Sequence, residues 1–158
     1  MGALIVTVCT NRKTVPPADR LKAQSLPSGT QSYVSETWRK WLRETESNIA
    51  AKQLYAGRGF AEAISTAEVC GADLWIVSAG LGLVHADEAV PAYDLTLSAG
   101  SESSVRQKVT DGAFHPASWW SDLGRRRRPK RSLFNLVRTR TTERIVISVP
   151  GSYLELIA

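Results

Sequence analysis

Asp94 follows Tyr93 near the end of a stretch, "SAGLGLVHADEAVPAYDLTL" (Ser78–Leu97), that holds many of the chain's chemically capable residues. A carboxylate facing a pocket can activate water or stabilise a cationic transition state. One that precedes an extended "LTL" can equally cap a turn. Tyr93 reads either as a core plug or as a platform for stacking a base. His85 is either a loop histidine with a backbone partner or a substrate contact. Gly80 and Gly82 suit a turn with positive φ, and glycines also let a ligand approach the backbone. A lone Gly-x-Gly is weak as a phosphate loop.

Two further clusters carry chemistry. "Cys9-Thr10-Asn11-Arg12-Lys13" follows an apolar run. Cys9 there is a small apolar filler or a nucleophile, while Asn11 and Lys13 could bond a base or a phosphate, and Lys13 could equally be a plain surface lysine. "RRRRPKR" (Arg125–Arg131) carries charge of one sign only. It reads as a basic surface loop or as a phosphate-binding patch formed by Arg125, Arg126, Arg127, Arg128, Lys130 and Arg131. Trp119 and Trp120 are expected to divide, one in the core and one near the arginines, where aromatic plus arginine suits nucleic acid. Metal binding is poorly supported by two histidines and two cysteines. A serine hydrolase is weak because no G-x-S-x-G elbow is present.

The elements that must position these residues follow from periodicity. "ALIVTVCT" reads as a strand buried on both faces. "SYVSETWRKWLRETESNIAAKQLYAG" has helical spacing through Val34, Trp38, Trp41, Leu42 and Ile49. "GFAEAISTAEVCGA" reads as a helix packing through Phe60, Ala63, Ile64, Ala67 and Val69 and ending at Gly71. "DLWIVSAG" and "RIVISVPG" read as strands. "SSVRQKVTDGAF", "HPASWWSDL" and "RSLFNLVRTR" are weaker helix candidates, and "GSYLELIA" looks like a helix after the last strand. The order implies a single α/β domain spanning 1–158, three-layered, with a mostly parallel central sheet and segment 125–131 as an insertion or surface loop. Ligands of such sheets bind beyond the carboxyl ends of the strands. The turns after Cys9, Ser78 and Ser148 should therefore converge there, with Thr10, Ser78 and Gly80 lining the site.

The chain has 158 residues and a net charge of +5. That length suits one domain with a sizeable core. No apolar run approaches the roughly 20 residues of a membrane helix. The start lacks the basic flank of a signal peptide and reads as a first strand. Two cysteines are too few for a disulfide framework, so a reducing cytoplasm is the expected location.

"VTVCTNRK", "LYAGRGFAEAI" and "LWIVSAGLGLVHADEAVPAYDLTL" together carry a resemblance. The long loop resembles that of the YaaA peroxide-stress family, whose members bind DNA. More loosely, the arrangement is similar to the glycosylase-like domain of archaeosine synthase and to the uracil-DNA glycosylase superfamily. Small phage-defence DNA glycosylases that excise glucosylated hydroxymethylcytosine look like a specific match. The likeness spans roughly residues 3 to 97. It departs at Gly80-Leu81, where the wider group usually has a lysine or leucine before an aromatic. The uracil-glycosylase water-activating motif is missing, and "FHPASWW" only faintly echoes the histidine loop of that superfamily.

The resemblance implies a uracil-DNA-glycosylase-like fold and hydrolysis of an N-glycosidic bond in modified phage DNA, leaving an abasic site, as antiviral defence. DNA would be the partner, with no cofactor and no metal. Asp94 would activate water or stabilise the sugar cation. Asn11 and His85 would contact the base or leaving group, Tyr93 would stack, and Arg12 and Lys13 would hold phosphate. The small residues Ala79 and Gly80 would leave room for a glucosylated base. A non-catalytic DNA-binding stress-response module and a small-molecule nucleoside or nucleotide hydrolase are the competing readings.

Overall fold

The structure is a computed structural model and describes residues 2–18, 20–127, 129–140 and 144–157. Strand β1 (Ala3–Val8) is the apolar run read from the sequence, and Leu4 and Val6 are fully buried in it. Helix α1 (Gln31–Glu44) starts where the Thr30 hydroxyl accepts the Tyr33 amide. It buries Val34, Trp38 and Leu42. The sequence reading carried this helix on to Gly57. Instead it ends at Glu44, where the polar run "TESN" interrupts the apolar stripe. Strand β2 (Ile49–Ala50) and the short helix α2 (Ala51–Leu54) follow.

Helix α3 (Arg58–Cys70) stops at Gly71, which takes the left-handed conformation (φ 59°) that glycine adopts without cost. Phe60 and Ala67 face the core, but Val69 is 87% exposed. Two positions beyond Ala67, it lies on the far side of the helix. Strand β3 (Asp73–Ser78) comes next, then β4 (Gly82–His85) and β5 (Ala89–Val90). The stretch expected to be irregular thus contains two short strands, β4 paired with β3 and β5 paired with β2. "SSVRQKVTDGAF" forms only a short 3-10 turn, Val105–Lys108. Helices α4 (Pro116–Gly124) and α5 (Leu133–Arg138), strand β6 (Arg144–Ile147) and helix α6 (Gly151–Ile157) complete the described elements.

The main sheet has the order β4-β3-β1-β6. β3 and β6 pair parallel to the central β1, and β4 pairs antiparallel to β3. β2 and β5 make a separate antiparallel pair. Alternate residues on a strand face opposite sides. Ile5 and Thr7 face the α3 residues Gly59, Ala63 and Thr66 across a groove. Trp75, on the other face, borders Leu136 of α5. The buried apolar residues form one cluster. This is a mixed α/β domain with a mostly parallel sheet, as expected. No described helix is long and apolar enough to cross a membrane.

Candidate functional site

The carboxyl ends of the three parallel strands do meet. The Cys9 amide donates to the Val77 carbonyl (3.0 Å), and the Ser148 amide to Val6 (2.8 Å). Cys9 Sγ accepts the Ala79 amide (3.3 Å) and lies 3.4 Å from the Tyr153 hydroxyl on α6. The thiol thereby ties all three turns together.

The loop after β3 is buried, and a buried backbone needs partners for its carbonyls. Three indole N–H groups supply them. Trp120 donates to Ser78 (3.2 Å), Trp119 to Ala79 (2.9 Å) and Trp38 to Gly80 (2.7 Å). Both Trp119 and Trp120 are therefore core residues, at 0% and 5% exposure. The expected split between core and surface does not occur, because the loop offers successive acceptors to neighbouring side chains.

Beneath the loop, the hydroxyls of Tyr55, Ser78 and Tyr93 form a triangle with sides of 2.8, 3.0 and 2.8 Å. Burial above all pushes the phenols of Tyr55 and Tyr93 up, so both stay protonated. Tyr93 is 1% exposed. It is a core plug, and the stacking role expected of it is corrected. Ser78 and Gly80 are likewise buried, and a methyl group on Gly80 would overlap the Tyr93 ring. The space expected at Gly80 for a bulky base is filled by that ring.

Lys13 lies in the same turn as Asn11 and Arg12. Expected to grip phosphate, it is half-buried inside the site. Its backbone bridges to Tyr55, flanked by the bonds Thr14 N–H to Leu54 and Ala56 N–H to Arg12. Its Nζ stands 4.6 Å from the Tyr93 ring centroid and 5.9 Å from that of Tyr55. Burial lowers its pKa from the ordinary lysine value, and the neighbouring Cys9 and Asp94 offset only part of this.

Asp94 is half-buried on the same rim. Its backbone pairs with Leu21 and Ala23, through Asp94 N–H to Leu21 O and Ala23 N–H to Asp94 O, both 2.8 Å. Oδ2 accepts the Ser103 hydroxyl (2.8 Å), and no described residue bonds Oδ1. Asn11 and Arg12 are exposed in the adjoining turn. Thr10 is committed to that turn, with its hydroxyl 2.7 Å from the Ala56 carbonyl and 2.8 Å from that of Arg12. A half-exposed carboxylate, a lysine of lowered pKa and an exposed amide thus share one edge.

His85 does not join them. Antiparallel pairing sets it across from Trp75, toward the start of β3. Its Nε2 is 2.5 Å from Asp73 Oδ1, and its Nδ1 accepts the Asp87 amide. Arg140 bonds the other Asp73 oxygen at 2.7 Å. A base contact by His85 is corrected because β4 runs away from the site.

The basic run also departs from expectation. Arg127 and Arg131 both bond Glu88, the latter at 2.5 Å, and Arg125 bonds Asp122 at 3.2 Å. Arg131 also stacks on Trp75, 5.3 Å from its ring centroid. Arg127 and Arg131 are thus folded onto the end of the sheet that holds His85, away from Asp94, and Glu88 and Asp122 offset part of the run's charge. Lys130 is exposed and bonds Ser121. Arg126 has an unpartnered buried Nη1 and a pKa pushed down to about 10, chiefly by burial and then by Arg131 and Arg43. Arg128 lies outside the described residues.

Sequence reasoning missed Tyr55, Ser103, Tyr153 and Glu88. The "LYAG" before α3 was the only signal for Tyr55, and its partners are remote in sequence. Among the described residues, no group of three or more His, Cys, Asp or Glu could hold a metal ion.

A family model described as a family of unknown function (DUF6884) matches residues 30–113. That span holds Tyr55, Ser78, Tyr93, Asp94 and Ser103. No curated protein and no solved structure matches.

Proposed function

The chain belongs to DUF6884, a family of unknown function, and we propose that it is an N-glycosidase acting on a modified base in DNA. The observation that carries this reading is that Asp94 and Lys13 lie on the same carboxyl edge of the sheet, near enough for the carboxylate to act on the lysine's charge. Breaking an N-glycosidic bond develops positive charge on the sugar and negative charge on the departing base. The Asp94 carboxylate, held by Ser103 through one oxygen, suits the first charge or the water that quenches it. The Lys13 ammonium suits the second, and its lowered pKa makes it a readier proton donor to the base. Asn11, exposed on the rim, suits the base edge.

In this reading the fold is of the uracil-DNA-glycosylase-like kind, the sequence resemblance to YaaA-like proteins reflects kinship, and the setting is cytoplasmic antiviral defence. The base must leave the duplex stack, which costs a few kcal/mol. Arg12, exposed in the turn that carries Asn11 and without a carboxylate partner among the described residues, suits a phosphate.

A second reading is a hydrolase of free nucleosides or nucleotides. The commitment of Arg125, Arg127 and Arg131 to Asp122 and Glu88 favours it. One experiment separates the two. The protein is incubated with unmodified DNA, with DNA carrying glucosylated hydroxymethylcytosine, and with the matching free nucleosides. Released base and abasic sites are then quantified. Base release from modified DNA alone supports the first reading, and release from nucleosides alone supports the second. DNA binding without any release leaves a non-catalytic module.

A further inference from the structure

We propose that Lys13 is also a nucleophile, whose amine condenses with the C1′ aldehyde of an abasic sugar and so drives cleavage of the strand on its 3′ side. The proposal rests on the N-glycosidase reading and extends it by a second step at the same site. Three observations converge. Lys13 stands inside the site, with its Nζ over the Tyr93 ring. Lys13 makes no ion pair with a described residue that would hold its proton, and its amine lies over an aromatic face. The phenols facing it remain neutral, so no tyrosinate holds its proton. Burial in turn favours the free amine.

The chemistry balances without a cofactor. Base loss leaves C1′ as a hemiacetal in equilibrium with the open aldehyde. The lone pair of Lys13 Nζ adds to C1′, the carbonyl oxygen is protonated, and water departs to leave an imine. The Asp94 carboxylate then takes a proton from C2′. A C2′=C3′ double bond forms as the C3′–O bond breaks, and the 3′ phosphate leaves with the electron pair. Water releases the sugar fragment and restores the amine. If Lys13 has just protonated the departing base, it is already the free amine when the aldehyde appears.

The test uses the full chain and an oligonucleotide that already contains an abasic site, so it does not depend on base release. Borohydride is added and the covalent adduct is mapped by mass spectrometry. The expected result is an adduct on Lys13 and strand cleavage without borohydride, both reduced more than roughly tenfold in Lys13→Arg. That variant keeps a cation over Tyr93 but has no nucleophilic amine. 2-Deoxyribose 5-phosphate serves as a second probe and should label Lys13 ahead of Lys22, Lys40, Lys52, Lys108 and Lys130. No adduct, an adduct that persists in Lys13→Arg, or an adduct on another lysine overturns the proposal. Base release from modified DNA without trapping would sink this inference alone and leave the N-glycosidase reading intact.

Discussion

The Lys13 ammonium sits 4.6 Å from the centre of the Tyr93 ring, and this contact ties the turn after β1 to the segment after β5. A surface lysine would be free to wander over phosphates. This one is held between two buried phenols, beside a carboxylate and a thiol, where its charge is expensive and its proton is loosely kept.

The triangle under that contact should be measurable as stability. Tyr93→Phe keeps the ring beneath Lys13 but strips a hydroxyl from Ser78 and Tyr55. Each can still bond the other, so the loss should be about 1–2 kcal/mol in urea unfolding. No loss at all would mean that the triangle contributes little.

Gly80→Ala tests the loop itself. The added methyl would meet the Tyr93 ring, which has no room to retreat because Trp38 packs against it edge-on at 6.3 Å. We expect a destabilisation of roughly 1–3 kcal/mol, with disturbed near-ultraviolet dichroism. A variant as stable as the parent would show that the loop yields easily.

Glu88 should matter for folding and not for chemistry. Glu88→Gln leaves Arg127 and Arg131 without their carboxylate and should cost about 2–4 kcal/mol. Base release by the folded fraction should be unchanged. Arg126→Met removes a buried charge whose Nη1 has no partner, and its melting temperature should hold or rise. A fall in Arg126→Met comparable to that of Glu88→Gln would contradict the reading of Arg126 as an uncompensated buried charge.

Acid should loosen the opposite end of the sheet. Burial pushes the Asp73 carboxyl up, but hydrogen bonds from Trp75 and His85 and the charges of His85 and Arg140 outweigh it and hold the pKa below the ordinary value. A depressed carboxyl stabilises the fold above its unfolded pKa of about 4 and loses that contribution as pH falls further. Stability measured from pH 5 to 2 should therefore drop less steeply in Asp73→Asn than in the parent. An unchanged slope would remove Asp73 from the acid response.

Much of the architecture was legible because it depends on local pattern. The apolar run of β1, the Gly71 stop of α3 and the turn signals after β3 and β6 each act within a few residues. The convergence of those turns followed from parallel pairing alone. What escaped the sequence depends on partners far along the chain. Glu88 neutralises arginines some forty positions away. Three tryptophans satisfy one loop from two helices. Lys13 looked like a surface residue because nothing near it in sequence reveals Tyr55 and Tyr93. His85 was assigned to the site because the loop was read as irregular, whereas β4 carries it back along β3.

The assignment of Asp94 is tested most directly by base release from modified DNA with Asp94→Asn beside the parent. The amide can still accept the Ser103 hydroxyl, so folding and DNA affinity should be retained. Its lost negative charge should cut the rate of base release by about 10²–10⁴-fold. A folded Asp94→Asn protein that releases base as fast as the parent would contradict the account.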